Sequence, residues 1–321
     1  MPPSAERPAP RSPAGPSPRI LLVTAALDRH ARDMLKAFRD AGAFVRAAKL
    51  SDIVHDTGSA FGFRIPGFDA GLPDAVCVRT MDGGSFEQVT RRLGILHALG
   101  RLGVLVSNDA PSIEICVDKS ATSFRLAEAG LPSPRSFVAE SRDAAFAILA
   151  AETGPFVLKP LFGAQGKGLL LIREPGDLPE PDAVAGVYYL QRFAGRFSEG
   201  TYSDYRILVS SGRAVAGMVR RSAGWITNIK QGAEGLPMLP DPELDRLAER
   251  AAEAVGADFC GVDLLRDPDG AAQVIEVNSM PAWTGLQAAT DLDIPAIRAR
   301  DLLAALAARR LPEAPRLALA V

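Results

Sequence analysis

The chain has 321 residues, with 36 Lys and Arg against 38 Asp and Glu, a formal net charge of −2 and a pI near 6.0. That length buries a sizeable core and divides into two or three domains, and the near-neutral charge offers no electrostatic footprint for nucleic acid or a membrane surface. The three cysteines, Cys77, Cys116 and Cys260, stand far apart without CxxC spacing, which excludes a disulfide framework or Cys-based zinc site and fits a reducing cytoplasm; no apolar run approaches the roughly 18 residues that span a bilayer.

Residues 1–18 are rich in Pro, Ala, Ser and Arg and hold seven prolines. They lack the apolar segment of a secretory signal, and the prolines oppose the amphipathic helix of a transit peptide, so a disordered tail is expected. A buried strand is expected over 19–23, then a helix over 28–41 with Ala31, Leu35 and Phe38 at helical spacing and Gly42 as its stop. Strands follow at 44–48, 75–79 and 104–106. Ser85 with Gln88 forms a capping box that opens a helix reaching about residue 100. Alternating strands and helices imply a parallel sheet with helices on its faces, giving an N-terminal α/β domain over 19–107.

Residues 108–130 read as a helical connector in which Asp118 caps the helix starting at Lys119. Short strands at 136–138 and 156–159 flank a helix at 142–151. The second strand feeds Pro160-Leu161-Phe162-Gly163-Ala164-Gln165-Gly166-Lys167-Gly168 and the apolar strand after it. No helix-opening Gly-Lys-Ser/Thr follows, so this is not a Walker A loop. Three glycines and a lysine between two antiparallel strands fit backbone N–H groups closing over a phosphate chain. These elements make a central unit over 108–185.

A third unit is expected over 186–310, followed by a tail at 311–321. It opens with a strand at 187–193 and a hairpin, 204–209 with 214–220, turning at Ser210-Ser211-Gly212-Arg213. A two-residue turn there puts Arg206 and Arg220 on opposite faces unless a bulge intervenes or the strand ends before Arg220; Asp204, in phase with Arg206, can orient it. Asp241-Pro242 opens a helix through residue 255. A second hairpin joins 259–265 to 273–277 across the Asp267-Pro268-Asp269-Gly270 turn. On a strand, residues two apart share a face, so Glu276 and Asn278 project together and Asp263 comes across to them. Two carboxylates and an amide oxygen suit a hard divalent cation, Mg²⁺ or Mn²⁺; the alternative is a strand end with solvated polar groups. A last helix is expected over 295–307. Lys119, Lys159, Arg206 and Arg220, each a surface cation if taken singly, together match the charge of a nucleotide triphosphate. His30, His55 and His97 lie away from these motifs and read as core or surface residues.

The ordered set Lys119, Val157-Leu158-Lys159-Pro160 with the glycine-rich loop, Asp204-Tyr205-Arg206-Ile207-Leu208-Val209, and Glu276-Val277-Asn278-Ser279-Met280-Pro281 resembles the ATP-grasp superfamily, and more narrowly the RimK-like glutamate ligases, from residue 19 onward. Trp225-Ile226-Thr227-Asn228-Ile229 and Trp283-Thr284-Gly285-Leu286-Gln287 are similar to members acting on small cofactors. The resemblance implies an ATP-grasp α/β fold behind an N-terminal parallel-sheet domain, and a ligase that activates a carboxylate as acyl phosphate and joins it to an amine. It implies that Lys119 and Lys159 contact ATP phosphates, with Gly163, Gln165, Gly166 and Gly168 closing over them. Gln191, Arg192 and Phe193 would present backbone groups to adenine, although Arg192 departs from the usual Gln-Glu. Asp263, Glu276 and Asn278 would hold Mg²⁺, and Arg206 would act on the transferred phosphoryl group. Arg220 and Asn228 would face acceptor and donor, with Trp225 and Trp283 as candidate substrate contacts. Glutamate is the implied amine. The implied acceptor is a pterin-type cofactor related to tetrahydromethanopterin, a peptide C-terminus or another small acid. Association into homo-oligomers is common in that family. A D-alanine- or glutathione-type ligase and a non-catalytic ATP-binding regulator are the alternatives.

Overall fold

The structure, a computed structural model, describes residues 17–163 and 166–309. Gln165, the tail at 311–321 and all of the tail at 1–18 but Ser17 and Pro18 lie outside the described residues.

The first sheet is built from β1 (Arg19–Val23), β2 (Phe44–Ala48), β5 (Ala75–Val78) and β6 (Leu105–Ser107), all parallel in the order β2-β1-β5-β6, with the small hairpin β3 (Val54–His55) and β4 (Phe63–Arg64) between. Alternation along β1 divides its side chains between two cores. Ile20 and Leu22 pack with Met34 and Phe38 of α1 (Arg29–Asp40), and Leu21 and Val23 with Ile95, Leu96 and Leu99 of α2 (Phe86–Arg101). Burial on both faces is why β1 and β5 read as continuous apolar runs. Asp28 caps α1 through Ala31 N, and Ser85 with Gln88 forms the capping box of α2.

Two helices, α3 (Ala110–Val117) and α4 (Lys119–Glu128), lead to the second sheet. It comprises β7 (Ser136–Ala139), β8 (Phe156–Lys159), β9 (Leu170–Ile172) and β10 (Tyr188–Arg192), with α5 (Arg142–Ala151) against it. The order is β7-β10-β8-β9, antiparallel throughout. Strand β10 thus sits between β7 and β8, whereas a division at 185/186 assigns it to the last unit. Its run of four buried residues belongs to a central strand, and sequence alone does not say which sheet receives it.

The third sheet has β11 (Phe197–Ser198), β12 (Thr201–Ser210), β13 (Arg213–Ser222), β14 (Glu234–Pro237), β15 (Phe259–Arg266) and β16 (Ala272–Asn278). Its path is β14-β13-β12-β15-β16, with β11 beside β12. Helix α6 (Pro242–Val255) lays Leu244, Leu247, Ala248, Ala251, Ala252 and Val255 on one face of it. Each buried Leu or Val there contributes about 1.5–3 kcal/mol, and Leu244→Ala would cost about 2–5 kcal/mol through the cavity left. The opposite face meets Leu286 of α7 (Thr284–Ala289), while Ile294 and Leu302 of α8 (Ile294–Ala308) join the same core as α1.

Asn108, buried just after β6, ties the first sheet to the third. Its Nδ2 donates to Phe259 O at 2.7 Å and Ser279 O at 2.6 Å, and its Oδ1 accepts from Phe259 N at 2.9 Å. The second sheet is tied to the same strand pair by Val274 N to Pro132 O and Ser133 Oγ to Val274 O, both at 2.8 Å.

Candidate functional site

A cleft of ≈ 160 Å³ opens between the second and third sheets. Lys119 and Lys159 stand on one wall. Asp263, Glu276, Asn278, Arg206, Arg220 and Asp204 stand on the other, and Gly163 and Gly166 border the mouth. Lys119 is the first residue of α4, placed by the Asp118 cap, and its Nζ donates to Gly163 O at 2.9 Å. Lys159 ends β8, buried, with Nζ donating to Gln191 Oε1 at 2.6 Å. Burial pushes its pKa down to about 8; neighbouring Lys119 adds to this, and Glu276 opposes it. Gln191 is held in turn by the Tyr189 hydroxyl, which pairs with Ser123 Oγ at 2.7 Å.

The arginine hairpin resolves the question of faces. Register along β12 and β13 slips between Leu208 and Val209, so Asp204 stands opposite Arg220 and Arg206 opposite Met218. The extra residue of this bulge brings Arg220 onto the face that Asp204 and Arg206 share. It also corrects the expected pairing, since Asp204 orients Arg220 rather than Arg206. Arg220 Nε and Nη2 donate to Asp204 at 2.7 and 2.5 Å, and Thr227 Oγ1 donates to the same carboxylate at 2.6 Å. Arg206 grips Asp263 with Nε and with Nη2, the latter at 2.7 Å, and Arg220 Nη2 lies 3.2 Å from Asp263. Burial raises the Asp263 pKa, but the two guanidiniums more than offset it and hold the carboxyl below its ordinary value. Thr227 was not among the expected residues; a threonine beside Asn228 carries no sequence signal of its own.

On the second hairpin Asp263 pairs directly with Glu276 and Gly261 with Asn278. Among the described residues no three His, Cys, Asp or Glu side chains gather as a metal cluster, so Asp263 and Glu276 need a donor of another kind beside them, and Asn278 stands on the same strand as Glu276. Asn278 has a buried Nδ2 without a hydrogen-bond partner among those residues, so no donor contact there prevents the amide from turning its oxygen to a cation. With the two carboxylates this donor set fits a hard divalent ion.

The remaining expected contacts divide between the cleft and the packing beside it. The amides of Arg192 and Phe193 donate to Arg135 O at 2.8 Å and Pro155 O at 3.0 Å, so they are engaged within the protein. The Arg192 guanidinium pairs with Glu152 and lies over Phe156, 5.1 Å from its centre. Ala194 and Gly195 line the cleft alongside them. Asn228 lines it too, but its Oδ1 caps the turn at Lys230 N, 3.0 Å away. Trp225 borders the cleft and meets Phe193 edge-on at 6.1 Å. Trp283 is 3 % exposed, packs edge-on against His30 and Phe259, and borders a separate small cavity. An apolar ring in a Gly-flanked loop does not itself tell core from cleft.

Gly166 and Gly168 take φ of +70° and +71°. A Cβ on Gly166 would meet Ile226 and Asn228 at 3.2 Å, so the loop lies directly on the Trp225-to-Asn228 segment. The three cysteines are buried, and burial raises Cys116 to about 12, which leaves it no thiolate character.

Residues 116–302 match the RimK-like ATP-grasp domain. The chain is 34% identical over 227 residues to a tetrahydromethanopterin:alpha-L-glutamate ligase of Methanococcus maripaludis, covering 69% of this chain and 76% of that one. It is 28% identical over 304 residues to the same-named enzyme of Methanosarcina acetivorans, covering 83% and 92%. The fold is similar to that of the ATP-grasp ligase PsnB, solved with minimal precursor, Mg and ADP, at a TM-score of 0.67 and 19% identity, covering 89% of this chain and 97% of that one. No helix among the described residues is long and apolar enough to cross a membrane. Half of the chain and more lies within one family match, and the fold is similar to that of solved ATP-grasp ligases: the protein belongs to the RimK-like ATP-grasp family of ATP-dependent ligases.

Proposed function

We propose that this enzyme joins the amine of L-glutamate to the carboxyl group of a small acid, a pterin-type cofactor being the leading acceptor, with ATP cleaved to ADP and phosphate. The observation carrying this reading is the convergence of Lys119, Lys159, Arg206, Arg220, Asp263, Glu276 and Asn278 on one cleft beneath a glycine-rich loop. The names of the two methanogen relatives support glutamate and the pterin.

In this reading an acceptor carboxylate oxygen attacks the γ-phosphorus as the bond to the ADP oxygen breaks, giving an acyl phosphate. The neutral amine then attacks the acyl carbon, loses a proton, and inorganic phosphate leaves. Phosphoryl transfer asks mainly for positioning and charge neutralisation. Lys119 and Lys159 supply cations at the phosphates. Arg206 and Arg220, held by Asp263 and Asp204, border the place of the transferred group and the acyl phosphate with the N–H groups those carboxylates leave over. Asp263, Glu276 and Asn278 would hold Mg²⁺, which when bound neutralises phosphate charge and orients the γ-phosphate. Loop 163–168 excludes water that would otherwise hydrolyse the acyl phosphate.

The test is ADP release by the purified enzyme with ATP, Mg²⁺, L-glutamate and a panel of acids, followed by mass spectrometry of the products. The reading expects release that needs both acid and glutamate, and a product heavier by glutamyl residues. Release with an acid and a different amino acid, but none with glutamate, would reassign the amine; no release with any pair would overturn the proposal.

A further inference from the structure

A second cavity, beside Trp283, contains a buried guanidinium that the protein leaves poorly neutralised. Arg79 is 7 % exposed, borders this cavity, and has an Nε without a hydrogen-bond partner among the described residues. Its carboxylate neighbour is Asp28, 3.9 Å from Nη2. Asp28 is already committed, since Oδ1 caps α1 at Ala31 N and Oδ2 lies 3.7 Å from His30 Nδ1. The Arg79 guanidinium lies instead over the Trp283 indole, 4.8 Å from the ring centre. A buried cation with no close counter-ion is unfavourable unless something outside the chain completes it.

Topology puts Arg79 where an open parallel sheet takes its ligands. In the order β2-β1-β5-β6 the chain leaves β1 to one side for β2 and returns to the other for β5. The crevice beyond the C-terminal ends of β1 and β5 is therefore the switch point of the sheet. Arg79 is the first residue past β5, and its N–H donates to Val23 O of β1 at 2.8 Å. Thr24 and Thr80, their hydroxyls 3.2 Å apart, extend the same two strand ends.

Met280, Pro281 and Trp283 border this cavity, and Asn278, just before them, lines the nucleotide cleft. The position of a Cβ on Gly261 would lie 3.2 Å from Pro281 and 3.0 Å from Arg206, so little protein separates the two cavities. Arg298 also borders the small one, but its Nη2 is spent on Ser107 O and Oγ at 2.9 and 2.8 Å. The cavity measures ≈ 10 Å³, room for about one water molecule, which suits a carboxylate oxygen better than a phosphate or a ring.

We propose that this pocket is a carboxylate subsite in which Arg79 receives a substrate carboxylate other than the one activated beside Arg206. The inference rests on the ligase reading in that both substrate classes there, an amino acid and an acid acceptor, can carry such a group.

The test is calorimetric titration of the full chain, loaded with ADP and Mg²⁺, with L-glutamate, with glutarate and with uncharged glutaramide. The wild type is expected to bind at least one of the two acids and not the diamide. Binding of L-glutamate alone marks the amino acid's carboxylate; equal binding of glutarate marks an acceptor-type acid. Arg79→Met should weaken acid binding at least tenfold and leave ADP affinity unchanged, with Arg79→Lys recovering part of the loss. Failure of both acids to bind the wild type, equal binding by wild type and both variants, or a parallel fall in ADP affinity would overturn the subsite. Arg79-dependent acid binding in a protein that releases no ADP with any acid and amine would keep the subsite while discarding the proposed reaction.

Discussion

Lys159 shows what the cleft asks of one side chain. It is buried, and its pKa falls from 10.5 to about 8, a shift worth roughly 3 kcal/mol against the charged form. The folded pKa is below the unfolded one, so this group subtracts stability below about pH 8, and the loss is relieved as pH rises towards 10.5. Binding of a triphosphate needs the charged form, so affinity runs the other way. kcat/KM for ATP is expected to fall along an alkaline limb near pH 8, and a pH–rate profile of the free enzyme checks it. Lys159→Met should lose that limb and most of the activity while raising the melting temperature at pH 7. The arginines follow another logic. Arg206 and Arg220 face Asp263 and Asp204, a set that balances itself, so the net charge left for phosphate comes from the lysines. The types and order of these residues were readable in the sequence. Their partners were not, because one extra residue on β13, Val215 between Ala214 and Ala216, decides which carboxylate each arginine meets.

The secondary elements were readable where periodicity and caps agreed. Ser85 with Gln88, Asp118 before Lys119, and Asp241-Pro242 each open a helix as expected. Strand β10 was readable as a strand but not as part of the second sheet, since a run of apolar residues records burial and not its neighbours. The glycine-rich loop carries the clearest element-level prediction. At φ +70°, with side chains 3.2 Å from any added Cβ, Gly166→Ala should lift the loop from the Ile226 and Asn228 side chains. A strain of about 1.4 kcal/mol would raise KM for ATP about tenfold with little change in melting temperature, because the loop contributes no core. Steady-state kinetics beside a thermal melt separates the two effects.

The cleft exists only because three sheets are held in place, and Asn108 is one of the ties. It makes three hydrogen bonds, two to the backbone of Phe259 and one to that of Ser279, next to Asn278. Asn108→Ala strands those buried groups at roughly 1–3 kcal/mol each for any left without water, and a urea melt should show the loss. Trp283 shows why whole-molecule placement escaped the sequence. Its motif follows Asn278 closely, yet the chain bends at Ser279-Met280 and carries the ring into the packing between the first and third sheets. The central claim is that Asp263, Glu276 and Asn278 hold a divalent ion against nucleotide phosphates. Its most direct measurement is calorimetry of a non-hydrolysable ATP analogue with and without Mg²⁺, on wild type and Glu276→Gln. The account predicts Mg²⁺-dependent binding in the wild type and loss of most of that dependence in the variant; binding indifferent to Mg²⁺, or equally Mg²⁺-dependent in both proteins, would contradict it.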